Sequence, residues 1–188
     1  MTKLVILDRD GVINEDSDHY IRSAEEWLPI VGSIEAIARL SSEGFSVVVA
    51  TNQSGLARAY FTLKALDAMH DKLTRLVKAR GGQIDGIYFC PHGPDDHCQC
   101  RKPKTGLIDQ IFTDYDAIPA ETWVVGDSLR DLQAGVACGC KVALVLTGKG
   151  LKTQAKLIEH PEVLAGNRDV PVYNNLNSFV EELLSEGF

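Results

Sequence analysis

Apolar residues recur along this chain in two rhythms, and the changes from one to the other divide it into alternating strands and helices. Lys3-Leu4-Val5-Ile6-Leu7 is an apolar run too short for a helix and rich in branched side chains, which predicts a buried strand. Phe45 to Ala50, Ile87 to Cys90, Thr122 to Gly126, Lys141 to Leu146 and Val170 to Tyr173 read the same way. Between these runs the apolar spacing lengthens to three and four residues. Ile34, Ile37, Ala38 and Leu40 mark a helix from Ile34 to Glu43, with Ser33 as its expected N-cap and Gly44 as its stop. Leu63, Leu66, Met69, Leu73, Leu76 and Val77 mark a longer one from Thr62 to Arg80, in which His70 is read as packing or helix surface. Helices are also expected at Leu107 to Tyr115, Leu129 to Ala137, Leu151 to Glu159 and Ser178 to Ser185. Strands alternating with helices predict an α/β fold with a doubly wound, mostly parallel sheet. The 188 residues suit one domain, 1–188, with no internal repeat and no low-complexity linker.

Four of the predicted strands run into polar clusters of complementary type. The first delivers Asp8-Arg9-Asp10-Gly11-Val12 and the second Thr51-Asn52-Gln53-Ser54-Gly55. Arg101 and Lys102 stand just past the third strand and a loop, and Asp127-Ser128-Leu129-Arg130-Asp131 follows the fourth. Taken singly, each has an ordinary reading: a solvated turn, a strand cap, a surface lysine, acids at a helix N-terminus. In a parallel sheet, however, all these ends lie on one edge, where ligands bind. Three carboxylates gathered there would repel one another unless a hard cation sat among them, and Mg²⁺ suits oxygen ligands. A lysine and several hydroxyl and amide donors opposite such a cation make a pocket for a tetrahedral dianion. The chemistry indicated is phosphoryl transfer.

Charge narrows the partners. The formal net charge is -7, and no Lys and Arg block forms a stripe that could track nucleic acid or an anionic membrane. No apolar run approaches a membrane span and no signal segment opens the chain, so a cytoplasmic protein is expected, and with it a monomer. Of five cysteines, Cys90, Cys98 and Cys100 crowd beside His92 in one loop, 90–100. This suits a closed, structural Cys3His zinc site that orders a loop too polar to pack by itself. Competing readings are free buried cysteines, a redox pair, or His97 replacing His92 as ligand. Cys138 and Cys140 are read as small packing residues.

Asp8-Arg9-Asp10-Gly11-Val12, Thr51-Asn52, Lys102 before Pro103 and Gly126-Asp127-Ser128-Leu129-Arg130-Asp131 together resemble the four motifs of the haloacid dehalogenase superfamily of phosphatases. The resemblance implies that superfamily's Rossmann-like fold, with Asp8 as the nucleophile and Asp10 as the acid and then the base. It further implies that Thr51 and Lys102 stabilise the transferring phosphoryl group. Asp127 would complete a Mg²⁺ site with the Asp8 carboxylate and the Asp10 main-chain carbonyl, while Asp131 holds either Lys102 or a metal-bound water. The spacing between motifs leaves no room for a cap domain, so loops must do the recognising.

Cys90-Pro91-His92 followed by Cys98-Gln99-Cys100-Arg101-Lys102-Pro103 narrows the resemblance to two groups, the heptose 1,7-bisphosphate 7-phosphatases and the histidinol-phosphate phosphatases. Ser54-Gly55-Leu56-Ala57-Arg58, Tyr60-Phe61-Thr62 and Asp18-His19-Tyr20 look like the heptose group. That implies a sugar bisphosphate substrate and a place in lipopolysaccharide precursor synthesis. The implied substrate contacts are Asp16, Ser17, Asp18, His19, Asn52, Gln53, Ser54, Arg58, Arg101 and Ser128. Ser128 stands where the family often has lysine, and the forked guanidinium of Arg101 suits a second phosphate. Two readings from other classes are a receiver-like phosphoacceptor, which would hold a long-lived phosphoaspartate, and a zinc-dependent interaction module, which would not need the acids.

Overall fold

The run Lys3–Leu7 becomes β1, the strand from which the sheet extends in both directions. The computed structural model describes residues 2–164 and 169–185. β2 (Phe45–Asn52), β3 (Gly86–Cys90), β4 (Trp123–Gly126), β5 (Lys141–Val145) and β6 (Val172–Tyr173) complete a parallel sheet in the order β3-β2-β1-β4-β5-β6. Alternate residues of each strand face opposite sides, and both sides are apolar because helices cover both. Val5, Leu7, Val47 and Val49 pack with Ile37 and Leu40 of α1 (Ser33–Ser42), Leu66 and Leu73 of α2 (Leu63–Ala79) and Phe179 of α6 (Leu176–Ser185). Leu4, Ile6, Val48 and Val124 pack with Ile108 and Ile111 of α3 (Gly106–Asp114) and Leu132 of α4 (Leu129–Ala137). Partly buried Leu157 of α5 (Gly150–Glu159) joins this second face.

Because β1 pairs with β2 on one side and β4 on the other, the winding reverses between β1 and β4. Such a reversal leaves a crevice at the carboxyl ends of the two strands. Asp8 and Asp127 are the residues that follow them, and the Asp8 amide donates to Val125 O at 3.0 Å. The long loop after β1 stays close to the sheet. Its Trp27 is fully buried, and Lys72 of α2 donates to the carbonyls of Ala24 and Trp27 at 2.6 Å each. Among the described residues no large cap covers the crevice.

Several boundaries differ from expectation, and β2 runs two residues past Ala50 to Asn52. Gly32, with φ 84°, stands at the N-cap of α1 in place of Ser33, because the chain must turn through the left-handed region there. The Ser33 hydroxyl donates instead to Ile13 O at 2.6 Å, tying the helix start to the loop after β1. β6 is confined to Val172–Tyr173, and α6 begins at Leu176 because the Asn175 side chain accepts from the Ser178 amide at 2.9 Å.

Candidate active site

The carboxyl ends of the strands enclose a cleft of about 220 Å³ whose lining includes Asp8, Asp10, Thr51, Asn52, Lys102, Asp127 and Asp131. Lys102 is the hub. Its side chain is only 3 % exposed, and Nζ donates to Asp8 Oδ1 at 2.9 Å and to Ala50 O at 2.6 Å while pairing with Asp131 Oδ1 at 2.7 Å. Its backbone is fixed by Asn52, whose amide donates to Lys102 O and accepts from Lys102 N, both at 3.1 Å. Burial alone would favour neutral lysine, but Asp131 and Asp8 hold the ammonium protonated, well above the usual range. Asp131 is spoken for on its other side too, accepting from Ser128 N at 3.0 Å and Ser128 Oγ at 2.7 Å in a capping box that starts α4.

The carboxylates are crowded. Oxygens of Asp8, Asp127 and Asp131 lie within 4.8 Å of one another. Burial and repulsion from Asp131 push Asp8 up to about 7, with Lys102 working against them. Burial and repulsion from Asp8 push Asp127 up to about 8. With Asp131 committed to Lys102 and Ser128, the excess negative charge falls on Asp8 and Asp127. A hard divalent cation with oxygen ligands is the group this donor set fits. The place of Asp127 is set by two glycines: a Cβ on Gly11, φ 86°, would lie 2.1 Å from Asp127 Oδ2, and one on Gly148, φ 58°, would lie 2.2 Å from it. The Lys149 amide donates to that same oxygen at 2.7 Å.

Asp10 faces a different environment. Its Oδ1 accepts from Asn14 Nδ2 at 2.8 Å and its Oδ2 from Gln53 Nε2 at 3.0 Å, while the Arg9 guanidinium reaches both oxygens. Burial would raise this carboxyl, but Arg9 and these donors hold it below the usual carboxylate range. Gln53 also donates to Thr51 Oγ1 at 2.9 Å.

Of the sequence-predicted contacts, Asp16, Ser17, Asp18, Asn52, Gln53, Ser54, Arg101 and Ser128 line the cleft. His19 lines a neighbouring hollow with Tyr20 and Arg22, and Arg58 is exposed outside the lining. The sequence reading gave no site role to Tyr20, Phe61, Arg130 and Lys149, which also line the cleft. Lys149 Nζ pairs with Asp16 at 3.2 Å. The position of Lys149 in a Gly-rich loop after β5 is the signal that finds it, since that loop opens on the same sheet edge.

Beyond β3, the ligand atoms of Cys90, His92, Cys98 and Cys100 also lie within 4.8 Å of one another. Cys90 Sγ is 3.6 Å from Cys98 Sγ and 3.0 Å from Cys100 Sγ, and His92 Nδ1 is 3.3 Å from Cys100 Sγ. A tetrahedral site with Zn–S bonds of about 2.3 Å has edges of roughly 3.8 Å, so these donors fit zinc. His97 lies outside the cluster.

A family model described as HAD-hydrolase-like matches residues 99–170. The D-glycero-beta-D-manno-heptose-1,7-bisphosphate 7-phosphatase of Neisseria meningitidis serogroup A is 56% identical over 165 residues, covering 86% of this chain and 88% of that protein. The chain belongs to the heptose-1,7-bisphosphate phosphatase family. Its likeness to the family member from Pseudomonas putida, 49% identical over 182 residues, spans 97% of this chain and 99% of that one. The crystal structure of the D,D-heptose 1,7-bisphosphate phosphatase from B. bronchiseptica, complexed with magnesium and phosphate, is 48% identical with a TM-score of 0.92, covering 99% of this chain and 100% of that chain.

Proposed function

We propose that this protein is a Mg²⁺-dependent phosphatase that removes the 7-phosphate of D-glycero-beta-D-manno-heptose 1,7-bisphosphate in the synthesis of nucleotide-activated heptose for lipopolysaccharide. The observation that carries the reading is the Asp8 carboxylate at the sheet's switch point, touching Lys102 and crowded by Asp127, in a chain with the family's sequence. In the first step Asp8 Oδ forms a bond to phosphorus as the bond from phosphorus to the sugar's O7 breaks, and Asp10, ionised in the free protein, first takes a proton from the bound phosphate monoester and then gives it to O7. In the second, water forms the new bond to phosphorus, the Asp8 acyl phosphate breaks, and Asp10 takes the water's proton. Thr51 and Lys102 donate to the phosphoryl oxygens. Asp8, Asp127 and the Asp10 carbonyl would hold Mg²⁺, which when bound neutralises the acids and polarises a phosphoryl oxygen.

Zn²⁺ on Cys90, His92, Cys98 and Cys100 has a structural role, fixing the loop that ends in Arg101 and Lys102. Stripping it with a chelator is expected to lower the melting temperature and to expose residues 90–100 to proteolysis. Unchanged stability in a protein verified as zinc-free would rule the role out. We further propose a monomer acting in the cytoplasm, a compartment that keeps cysteine thiols reduced and so able to bind zinc.

The deciding test is kcat/KM with Mg²⁺ for the two heptose bisphosphate anomers and for histidinol phosphate. A large preference for the beta anomer is expected, and a preference for histidinol phosphate would overturn the substrate assignment. In the same assay Arg101→Ala is expected to raise KM roughly tenfold for the bisphosphate and much less for a monophosphate, since one guanidinium contact is worth about 1.5–3 kcal/mol. Equal effects on both would remove Arg101 as the holder of the second phosphate.

A further inference from the structure

Arg9 is the one arginine of the described residues with no measurable exposure, and the phosphatase reading gives it no role. Burying a guanidinium costs several kcal/mol, and an apolar residue of similar size would serve packing at least as well. Its contacts show where the charge is directed. Nε and Nη2 donate to Asp10 Oδ1 at 3.0 and 2.8 Å, and Nη2 also lies 3.0 Å from Asp10 Oδ2 and 3.3 Å from Gln53 Oε1. No other carboxylate of the described residues pairs with it. On its far side Nη1 faces Met69 Sδ at 3.9 Å and His70 Nε2 at 3.3 Å, both on α2. Beside an arginine that keeps its charge, the His70 ring is neutral and Nε2 is the acceptor. The chain of contacts therefore runs from α2 through His70 and Arg9 to Asp10, and through Gln53 to Thr51.

We propose that Arg9 is a positioning residue for the acid–base carboxylate of Asp10, and that His70 holds Arg9 in place. The inference rests on the phosphatase reading above. A carboxylate on a short side chain has two free torsions, and a displacement of about 1 Å at the reacting group can cost a hundredfold in rate. Contacts from a forked guanidinium to both oxygens remove that freedom. Met69 and His70 do for Arg9 what Arg9 does for Asp10.

The test separates Asp10's two tasks by leaving group. A sugar phosphate needs a proton on its leaving oxygen, whereas p-nitrophenolate departs without one; both substrates need Asp10 as base when water attacks the phosphoenzyme. Arg9→Met is expected to lower kcat for a sugar phosphate about a hundredfold with KM little changed. With p-nitrophenyl phosphate it should release about one equivalent of nitrophenol in a burst and then turn over slowly. Arg9→Lys, which keeps the charge without the fork, should recover part of the loss. Equal falls for both substrates with no burst, or wild-type kinetics in Arg9→Met, would overturn the proposal. Should Arg9→Met fail to fold, His70→Leu, which removes one acceptor of Nη1 and leaves Met69 Sδ, should give the same pattern at about a tenth of the size; His70→Gln, which keeps an acceptor, should restore it. Wild-type protein that hydrolyses neither substrate would instead remove the phosphatase reading itself.

Discussion

Asp8→Asn is expected to cut turnover by at least about a thousandfold while leaving the fold in place. Asparagine keeps the shape of the side chain and one oxygen near the cation, but its amide cannot form and release an acyl phosphate. The stability side is equally definite. Asp8 is a carboxylate that burial and its neighbours push toward neutrality, so removing its charge relieves repulsion with Asp131 and Asp127. Lys102 keeps Asp131 at 2.7 Å and Ala50 O at 2.6 Å. The metal-free variant should therefore melt no lower than the parent, and Mg²⁺ should still raise its melting temperature, by less. Phosphate release by rapid mixing and a thermal melt with and without Mg²⁺ check both halves. Retained turnover would remove Asp8 as nucleophile; a collapsed melt would mean that its charge serves the fold.

The parts of this site legible in the sequence are those whose chemistry is local. The strand preceding Asp8 is a continuous apolar run, and Asp127 follows another, so the sheet edge and its acids could be read together. The cysteine and histidine ligands lie within one short loop, and their crowding is visible without a fold. Arg9 shows what escapes such reading. Its neighbours Asp8 and Asp10 advertise chemistry, but its own side chain is buried among Met69, His70 and Gln53, which the sequence places far away. His70 was legible as a residue of the apolar stripe, but its partner was not. Gly148 is similar in part: its own turn, with φ 58°, favours glycine, but the closeness of Asp127 Oδ2 and the Gly11 backbone across the crevice is visible only in the fold. Arg58 and His19, read as substrate contacts because a capless site must recognise through its loops, lie outside the cleft lining, because those loops place them on exposed surface.

Lys102→Met is expected to lose both activity and stability, and the two losses can be separated. Lys102 supplies the positive charge between Asp8 and Asp131, and Asp131 is only 2 % exposed. Removing one partner of a buried pair leaves the other charge uncompensated, at about 3–5 kcal/mol. For a domain of this size that is a fall in melting temperature on the order of 10 °C. Ser128 would still donate to Asp131, which softens the loss without supplying charge. Adding Asp131→Asn removes the orphaned charge and keeps an oxygen that can accept from the Ser128 amide, so the double variant should regain much of the stability. Catalysis should not follow. With no ammonium beside the nucleophile, the charge that develops on the transferring phosphoryl group has lost one of its stabilisers, and the double variant should stay at least about a hundredfold below the parent in kcat. If stability and activity returned together, Lys102 would be a structural counter-ion to Asp131 with no part in the reaction. If neither returned, the buried ammonium would be holding more than Asp131, and the 2.6 Å bond to Ala50 O at the end of β2 is where that further role lies.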